Sequence, residues 1–213
     1  MTLKETDFRA AHGALFAAFL ILPAAMPMLR MWPLLWLVPL ICYFAVIACV
    51  PALRRTFCWL RVGRVTVATM CPAIGLGVVS CAALIVFQLS FKPDLHAYRA
   101  SLPFAALGGV IVAGLVFSLL NALLEELVFR GVLFDGIDSQ WGPWVAVVAT
   151  AIIFGCGHAH GYPPGRFGEV LAGLYGLTLG ALRVWTGGLA LPFVAHIFAD
   201  VTIYCIAVQR VLR

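Results

Sequence analysis

Two adjacent glutamates and an arginine lie inside a long apolar stretch of the sequence. Glu125, Glu126 and Arg130 follow Asn121 in a segment that otherwise consists of alanine, leucine, valine and phenylalanine. An ionisable side chain inside a lipid-buried helix is costly unless it is paired or lines a wet cavity, so it marks a functional site by default. These carboxylates are therefore the first candidates for catalysis.

Helical geometry gives the two glutamates different neighbours. Residues four apart share one face of a helix, so Glu126 and Arg130 are expected to form an ion pair. Glu125 points about 100° away from Glu126, on the stripe that also carries Asn121 and Ser118. The sequence therefore predicts that Glu126 is neutralised, whereas Glu125 faces other polar groups in the interior.

Two histidine clusters follow on later apolar segments. Phe154 stands four residues before His158, and His196 stands four residues before Asp200. At a rise of about 1.5 Å per residue, we expect these histidines, Asp200 and Glu125 to lie roughly 10–22 Å from the cytoplasmic edge. Three separate spans can therefore bring their polar side chains together near the middle of the membrane.

A carboxylate and imidazoles at one place suit peptide hydrolysis. That reaction needs a base for water, a proton donor for the leaving amine, and donors aimed at the oxyanion. Each cluster alone also has a structural interpretation: a carboxylate that reaches water at a helix end, an interfacial histidine, or a hydrogen-bonded His–Asp pair. Their joint occurrence favours a catalytic site.

His160, beside a turn, is interpreted as solvated, and Cys156 is expected to face away from His158 rather than join it on a metal.

The composition is that of an integral membrane protein. The chain has 213 residues, 63% hydrophobic and 11% charged, and its mean hydropathy is +1.04. The net charge of +5 comes from basic residues scattered at the ends of apolar runs, which indicates loop topology rather than nucleic-acid binding. The seven cysteines are odd in number and form no CxxC pair, so neither a disulfide framework nor a zinc knuckle is predicted.

The apolar runs predict an all-α, polytopic transmembrane helical bundle of about seven spans (six to eight), with the active site within the membrane. The expected spans are residues 12–29, 33–52, 65–90, 104–134, 143–159, 168–185 and 188–209.

Turn and packing signals lie between and within these spans. A Pro-Pro-Gly sequence predicts a turn in 157–168, and residues 92–103 are polar enough for a loop or a surface helix. Gly173, Gly176 and Gly180 predict a small-residue face for close helix packing.

Loop charge predicts an orientation. The densest basic loop carries Arg54, Arg55, Arg61 and Arg64, and the positive-inside rule places it in the cytoplasm together with the N-terminus. Seven spans put the C-terminal arginines outside, against that rule. An extra or re-entrant segment and an inverted arrangement therefore stay open.

The three polar clusters together resemble the CPBP family, the CAAX-protease and bacteriocin-processing (Abi) intramembrane proteases. The family pattern is EExxxR, FxxxH and HxxxN or HxxxD, in this order on three helices. It corresponds here to Glu125-Glu126 with Arg130, Phe154 with His158, and His196 with Asp200. The resemblance covers residues 104–205 and implies a catalytic helical core at 104–213, preceded by variable transmembrane helices at 1–103, in one integral domain.

The resemblance also implies roles for four residues. Glu125 is the general base, and His158 is its partner on the attacking water. His196 and Asp200 act on the developing negative charge. An ionised aspartate would repel an oxyanion, so Asp200 is either protonated or, as we prefer, orients His196 as an acceptor.

Supporting residues and cofactors follow from the same resemblance. The supporting residues are Glu126, Arg130 and Phe154 from the motifs, together with Asn121, which shares the helical stripe of Glu125. We expect a glutamic-type protease that needs no cofactor, because carboxylate and imidazole can activate water without a metal; zinc is the alternative. The HExxH, GxSG and GxGD signatures of other intramembrane proteases are absent from the sequence.

The predicted function is hydrolysis of a peptide bond near the C-terminal region of a membrane-anchored or lipid-modified protein or peptide. The alternatives are a non-catalytic immunity or scaffold protein and a proton-coupled transporter, which also buries ionisable groups. We expect the substrate and the lipid bilayer as partners, no nucleic acid, and a multi-pass location in a prokaryotic inner or plasma membrane. Prenylated proteins, bacteriocins and C-terminal sorting signals all remain open as substrates.

Overall fold

The computed structural model describes residues 3–93, 107–159 and 161–209, and the regular elements in these ranges are all helical. In chain order the helices are α1 (Leu3–Phe19), α2 (Ile21–Ala25), α3 (Leu34–Cys49), α4 (Pro51–Thr56), α5 (Val67–Phe91), α6 (Leu107–Glu125), α7 (Leu133–Trp141), α8 (Pro143–Gly157), α9 (Gly165–Thr186) and α10 (Ala190–Gln209). A 3-10 turn, Pro27–Arg30, precedes α3, and a π-helix, Glu126–Val132, joins α6 to α7.

Apolar helical segments correspond to the predicted spans. Five are long and apolar enough to cross a membrane by length and composition: Phe8–Ala25, Val67–Phe91, Leu107–Trp141, Gly165–Thr186 and Ala190–Val208. Two more, Leu34–Cys49 and Pro143–Gly157, are shorter apolar helices. The prediction of an all-α, polytopic helical bundle is confirmed.

The fourth span is longer than predicted. It was expected to end at 134, but the π-helix passes directly into α7, which ends at Trp141. Asp135 and Asp138 lie beyond the predicted end of this span. In the structure Arg9 on α1 binds both: its Nε lies 3.1 Å from Asp135 Oδ2, and its Nη2 lies 3.1 Å from Asp138 Oδ2. This ion pairing allows a helix to continue through two acidic residues.

Several predictions from the sequence lie wholly or largely outside the described residues. The division between residues 103 and 104 and the position of His160 fall there, as does most of the polar segment 92–103. The turn predicted at 157–168 is shorter in the structure, because α8 ends at Gly157 and α9 already begins at Gly165.

The outward surface of the bundle is apolar. Val78, Val86, Ile111, Val112 and Ile152 are each more than half exposed. Large hydrophobic side chains on helices long enough to span a bilayer face lipid. The chain is therefore an integral membrane protein.

The turn between α7 and α8 has the features of a membrane surface. Gly142 adopts a φ of 83°, and Pro143 starts α8. The neighbouring Trp141 and Trp144 are 67% and 63% exposed. Tryptophan is enriched where hydrocarbon meets water, so this turn marks one edge of the membrane.

Helices α8 and α9 pack along each other through glycines. A Cβ atom at Gly155 would lie 2.6 Å from the backbone oxygen of Glu169, and one at Gly176 would lie 3.1 Å from the Cα atom of Ala151. One at Gly180 would lie 3.1 Å from a methyl group of Val147. The small-residue face predicted for this span is confirmed, and it brings α9 close to the end of α8 that carries His158.

Helix α10 packs against both α5 and α6. Contact with α6 places His196 and Asp200 beside the glutamates at the end of that helix. On the other side of the glutamates, Trp59 from the loop after α4 is 1% exposed and fits over Gly131, where a Cβ atom would lie 2.5 Å from the indole ring. The glycine that follows Arg130 therefore makes room for a tryptophan.

Candidate active site

The two glutamates lie at a change of helix type. Glu125 is the last residue of α6, and Glu126 is the first residue of the π-helix. Single π-helical turns inside longer helices are rare and are frequent at functional sites. Glu125 is 8% exposed and Glu126 is 1% exposed. Both carboxylates approach the imidazole of His196 on α10, and each lies next to a different ring nitrogen.

His196 is held between acidic side chains. Its Nδ1 lies 2.8 Å from Glu126 Oε1 and makes a hydrogen bond there. Its Nε2 lies 3.5 Å from Glu125 Oε2 and 4.0 Å from Asp200 Oδ1. Because an ionised carboxylate only accepts, Nδ1 donates its hydrogen to Glu126. Nε2 is then the nitrogen that faces Glu125 and Asp200.

Glu126 also forms the ion pair predicted with Arg130. The Arg130 Nη1 lies 3.0 Å from Glu126 Oε1, and both side chains are 1% exposed. Nη2 donates to the backbone oxygen of Gly176 at 3.2 Å, and the guanidinium carbon lies 4.6 Å from the centroid of the Phe154 ring. The i, i+4 prediction is confirmed. Arg130 thereby ties the π-helix to α8 and α9.

Asp200 receives its hydrogen bonds from Asn121. The Asn121 amide nitrogen lies 3.2 Å from Asp200 Oδ2 and 3.4 Å from Oδ1. The side chain of Asp200 is buried, and it lies on the same side of His196 as Glu125. The acceptor that orients His196 is thus Glu126, and Asp200 lies at 4.0 Å, beyond hydrogen-bond distance. Asp200 was expected in that orienting position, which Glu126 occupies instead.

His158 follows directly on the last residue of α8. Its Nδ1 donates to the backbone oxygen of Phe154 at 2.7 Å, because a carbonyl only accepts. In the neutral ring Nε2 is then an acceptor. The Phe154 ring packs against both histidines, with centroid distances of 4.3 Å to His158 and 5.9 Å to His196. The phenylalanine of the FxxxH motif therefore contacts both imidazoles.

A cavity of about 250 Å³ opens beside these groups, between α5, α8, α9 and α10. Its polar lining includes His158, His196 and Asp200, and most of the rest is apolar, as at Leu84 and Ile203. A largely apolar cavity with a few convergent polar groups is the usual form of a ligand site. A second cavity, of about 220 Å³, reaches Glu126 from between α6 and the start of α10.

Two carboxylate oxygens at the site retain unused acceptor capacity. Glu125 Oε2 and Glu126 Oε2 are buried, and neither has a hydrogen-bond partner among the residues that the structure describes. A buried acceptor without a donor costs about 1–3 kcal/mol. A water molecule or a polar substrate group that donates to Glu125 would recover this free energy beside His196.

Each histidine at the site offers a single nitrogen to a ligand. In the ranges 3–93, 107–159 and 161–209, no three His, Cys, Asp or Glu side chains are placed to hold a metal. His196 donates through Nδ1 to Glu126, and His158 donates through Nδ1 to a backbone carbonyl. Each histidine therefore has only Nε2 left as a ligand atom, and both rings contact Phe154.

Two residues near the site carried no recognisable signal in the sequence. Tyr175 on α9 packs its ring perpendicular to His196 at 5.9 Å and donates its hydroxyl to the Ala195 backbone oxygen at 2.8 Å. Trp32 donates its indole N–H to Asn121 Oδ1 at 3.0 Å. A tyrosine inside a span does suggest a hydrogen-bond partner, but nothing in the sequence indicates which one.

The structure places every candidate site residue in or next to one cluster. Direct polar contacts or close approaches join Glu125, Glu126, Arg130, His196, Asp200 and Asn121. Phe154 packs against this group, and His158 shares the larger cavity with it. The cluster contains the acid, base and imidazole groups that hydrolysis requires; the role of each residue stays a prediction.

Residues 107–202 match the family model described as Type II CAAX prenyl endopeptidase Rce1-like. This segment is an Rce1-like domain of the CPBP family. No curated protein and no solved structure matches the chain.

The Rce1-like domain contains all three motifs and lies within the resemblance predicted for residues 104–205. Recognition of the CPBP family from the motifs is confirmed. The family and the apolar helices together support an intramembrane, CAAX-protease-like endopeptidase whose partners are a protein substrate and the lipid bilayer. The Rce1-like domain includes the whole polar cluster around His196, and Trp32 lies outside the domain.

Proposed function

We propose that the chain hydrolyses a peptide bond near the C-terminal region of a membrane-anchored or lipid-modified protein or peptide, by water activated without a metal. The approach of Glu125 Oε2 to His196 Nε2, 3.5 Å apart and buried, is the observation that carries the proposal. The base thus lies beside an imidazole that itself lines an apolar cavity, as cleavage inside a membrane requires.

Glu125 serves as the general base in this proposal. It removes a proton from water as the water oxygen attacks the substrate carbonyl, and His158 holds that water through Nε2. The carbonyl becomes a tetrahedral oxyanion. When the carbon–nitrogen bond breaks, Glu125 delivers its proton to the leaving amine, so the carboxylate returns to its starting state.

His196 stabilises the oxyanion in the same proposal. Three carboxylates, from Glu125, Glu126 and Asp200, lie around the ring, and Arg130 is the cation paired with one of them. A protonated imidazole balances this excess of negative charge and presents Nε2–H to the oxyanion. Glu126 fixes the ring by accepting from Nδ1.

The larger cavity supports an apolar or lipid-modified substrate. Leucine and alanine are the most frequent residues of its lining, which also includes His158, His196 and Asp200. The family description names prenyl endopeptidases. For this chain we propose the wider class, a membrane-anchored or lipid-modified segment whose apolar part enters the cavity, in a prokaryotic inner or plasma membrane.

Cleavage assays on purified protein test the proposal. Detergent-solubilised protein is incubated with a panel of membrane-anchored C-terminal peptides, with and without a metal chelator, and products are identified by mass spectrometry. We expect cleavage to survive chelation and to fall by roughly 100-fold or more in Glu125→Gln. Glu169→Gln on α9 is the matched control and keeps the wild-type rate.

Three outcomes would contradict parts of this proposal. Wild-type rates in Glu125→Gln would exclude Glu125 as the base. Loss of cleavage on chelation with recovery on adding zinc would overturn the metal-free mechanism. Ion flux that depends on Glu125, without any cleavage product from the panel, would indicate a transporter.

A further inference from the structure

A side chain from the first half of the chain reaches the polar cluster. Trp32 lies in the turn between the segment Pro27–Arg30 and α3, outside the Rce1-like domain. Its indole Nε1 lies 3.0 Å from Asn121 Oδ1. The Asn121 amide nitrogen in turn lies 3.2 Å from Asp200 Oδ2. Two hydrogen bonds thus connect Trp32 to a carboxylate that faces His196.

The indole of Trp32 determines the orientation of the Asn121 amide. An indole N–H is a donor only, so its partner on Asn121 has to be the carbonyl oxygen. The NH₂ group of Asn121 is then directed at Asp200. With the opposite amide orientation, an NH₂ group would face the Trp32 N–H, and a carbonyl oxygen would face the Asp200 carboxylate.

This orientation determines what Asp200 does. Facing an NH₂ group at 3.2 Å and 3.4 Å, its two oxygens both accept. Asp200 is therefore held as an acceptor, with Oδ1 kept 4.0 Å from His196 Nε2. In that position it supports a positive charge on the imidazole and needs no proton of its own to satisfy Asn121.

We propose that Trp32 is a positioning residue for the hydrolytic site, acting on Asp200 through the Asn121 amide. The inference rests on the proposed function for its effect on rate. The contact itself is independent of the proposed function, because it depends only on the donor-only character of the indole and on the two hydrogen bonds.

Trp32→Phe tests the proposal with little change in packing. A phenylalanine keeps the aromatic contact with Phe117, whose ring centroid lies 5.3 Å from that of Trp32, and removes the N–H. Loss of one hydrogen bond in the relay is expected to lower kcat about threefold to tenfold. KM stays at its wild-type value, because neither Trp32 nor Asn121 lines the larger cavity.

Trp36→Phe is the matched control. Trp36 lies one helical turn further on, and its ring packs against Phe129 at 5.4 Å. The same substitution there leaves kcat within about twofold of wild type, because a surface or packing change away from the relay has small effects. Equal losses of kcat in both variants, or a rise in KM alone in Trp32→Phe, would overturn the positioning role.

A double-mutant cycle tests whether Trp32 acts through Asn121. In an Asn121→Leu background the relay is already broken, so Trp32→Phe has no further effect on kcat. If the two losses multiply instead, Trp32 acts by another route and the proposal fails.

A spectroscopic measurement separates this inference from the proposed function. In protein labelled with ¹⁵N-tryptophan, the Trp32 indole signal is identified by its absence in Trp32→Phe. We expect Asn121→Leu to shift that signal and leave the Trp36 signal in place. An unshifted Trp32 signal would refute the hydrogen bond whether or not any peptide is cleaved. If the wild-type protein cleaves nothing but Asn121→Leu still shifts the Trp32 signal, the proposed function is refuted and the hydrogen bond stands.

Discussion

His196 and its acidic neighbours form the polar centre of the molecule. Glu126 accepts from Nδ1 at 2.8 Å, and Glu125 faces Nε2 at 3.5 Å. Arg130 pairs with Glu126 and is itself buried at 1% exposure. Because charges inside a bilayer are costly, each of these groups depends on the others for compensation.

Removal of one partner of the buried ion pair should therefore destabilise the protein. We expect Glu126→Leu to lower the free energy of unfolding by roughly 3–5 kcal/mol, because Arg130 is left buried without its carboxylate. Thermal or denaturant-induced unfolding in detergent, followed by circular dichroism, measures this change.

Two further variants identify the cause of that loss. Glu126→Leu combined with Arg130→Met removes both charges and should regain most of the stability, while cleavage stays low because His196 Nδ1 has lost its acceptor. Glu125→Leu removes the neighbouring carboxylate, whose Oε2 has no hydrogen-bond partner within the described ranges, and should cost less than Glu126→Leu. A double variant as unstable as Glu126→Leu would argue against an uncompensated arginine as the cause.

At the level of elements, the contact between α8 and α9 positions the motif of Phe154 and His158 relative to the other two motifs. Close approach of these helices depends on glycines, and it also brings the Gly176 carbonyl within reach of Arg130 at 3.2 Å. A change in the spacing of α8 and α9 would therefore displace Arg130 and Phe154 together.

Gly176→Leu should disturb both packing and activity. Its side chain would meet the α8 backbone at Ala151, where even a Cβ atom lies 3.1 Å away. Overpacking of this kind typically costs about 1–3 kcal/mol, and we expect a parallel loss of cleavage. Unfolding midpoints and cleavage rates, measured on the same preparations, check both effects.

Gly108→Leu on α6 is the corresponding control. No atom lies within 4 Å of a Cβ built at Gly108 among the described residues, and the position is exposed. The same substitution there should leave stability and cleavage close to wild type. If both variants behave alike, a general effect of leucine in a span, and not the α8–α9 contact, would explain the result.

At the level of the whole molecule, the basic loop after α3 defines one side of the bundle. Arg54 and Arg55 at the end of α4 are exposed, as are Arg61 and Arg64 in the following loop. The positive-inside rule predicts that this side is cytoplasmic. Met28 lies before α3, at the opposite end of that helix, and is 65% exposed.

Cysteine labelling tests the orientation. In a variant whose seven native cysteines are replaced by alanine, Arg55→Cys should react with a membrane-impermeant maleimide in inverted inner-membrane vesicles and not in intact spheroplasts. Met28→Cys should show the opposite pattern. Both patterns reversed would establish the inverted arrangement.

Features that depend on local periodicity were predictable from the sequence. The spans follow from apolar length, and the Glu126–Arg130 pair follows from a helical spacing of four residues. The small-residue face of α9 was predictable for the same reason. The π-helix at Glu126–Val132 was not predicted, because nothing in the types and spacing of its residues distinguishes it from an α-helix.

Partnerships between distant segments were decided by the tertiary structure. The hydrogen bond of His196 to Glu126 joins residues 70 apart in sequence, and that of Trp32 to Asn121 joins residues 89 apart. Residue spacing along one helix shows which side chains share a face, but it carries no information on the rotation and depth of a second helix. The packing of α10 against α6 sets the rotation and the depth of α10. As a result Glu126, and not Asp200, orients the imidazole of His196.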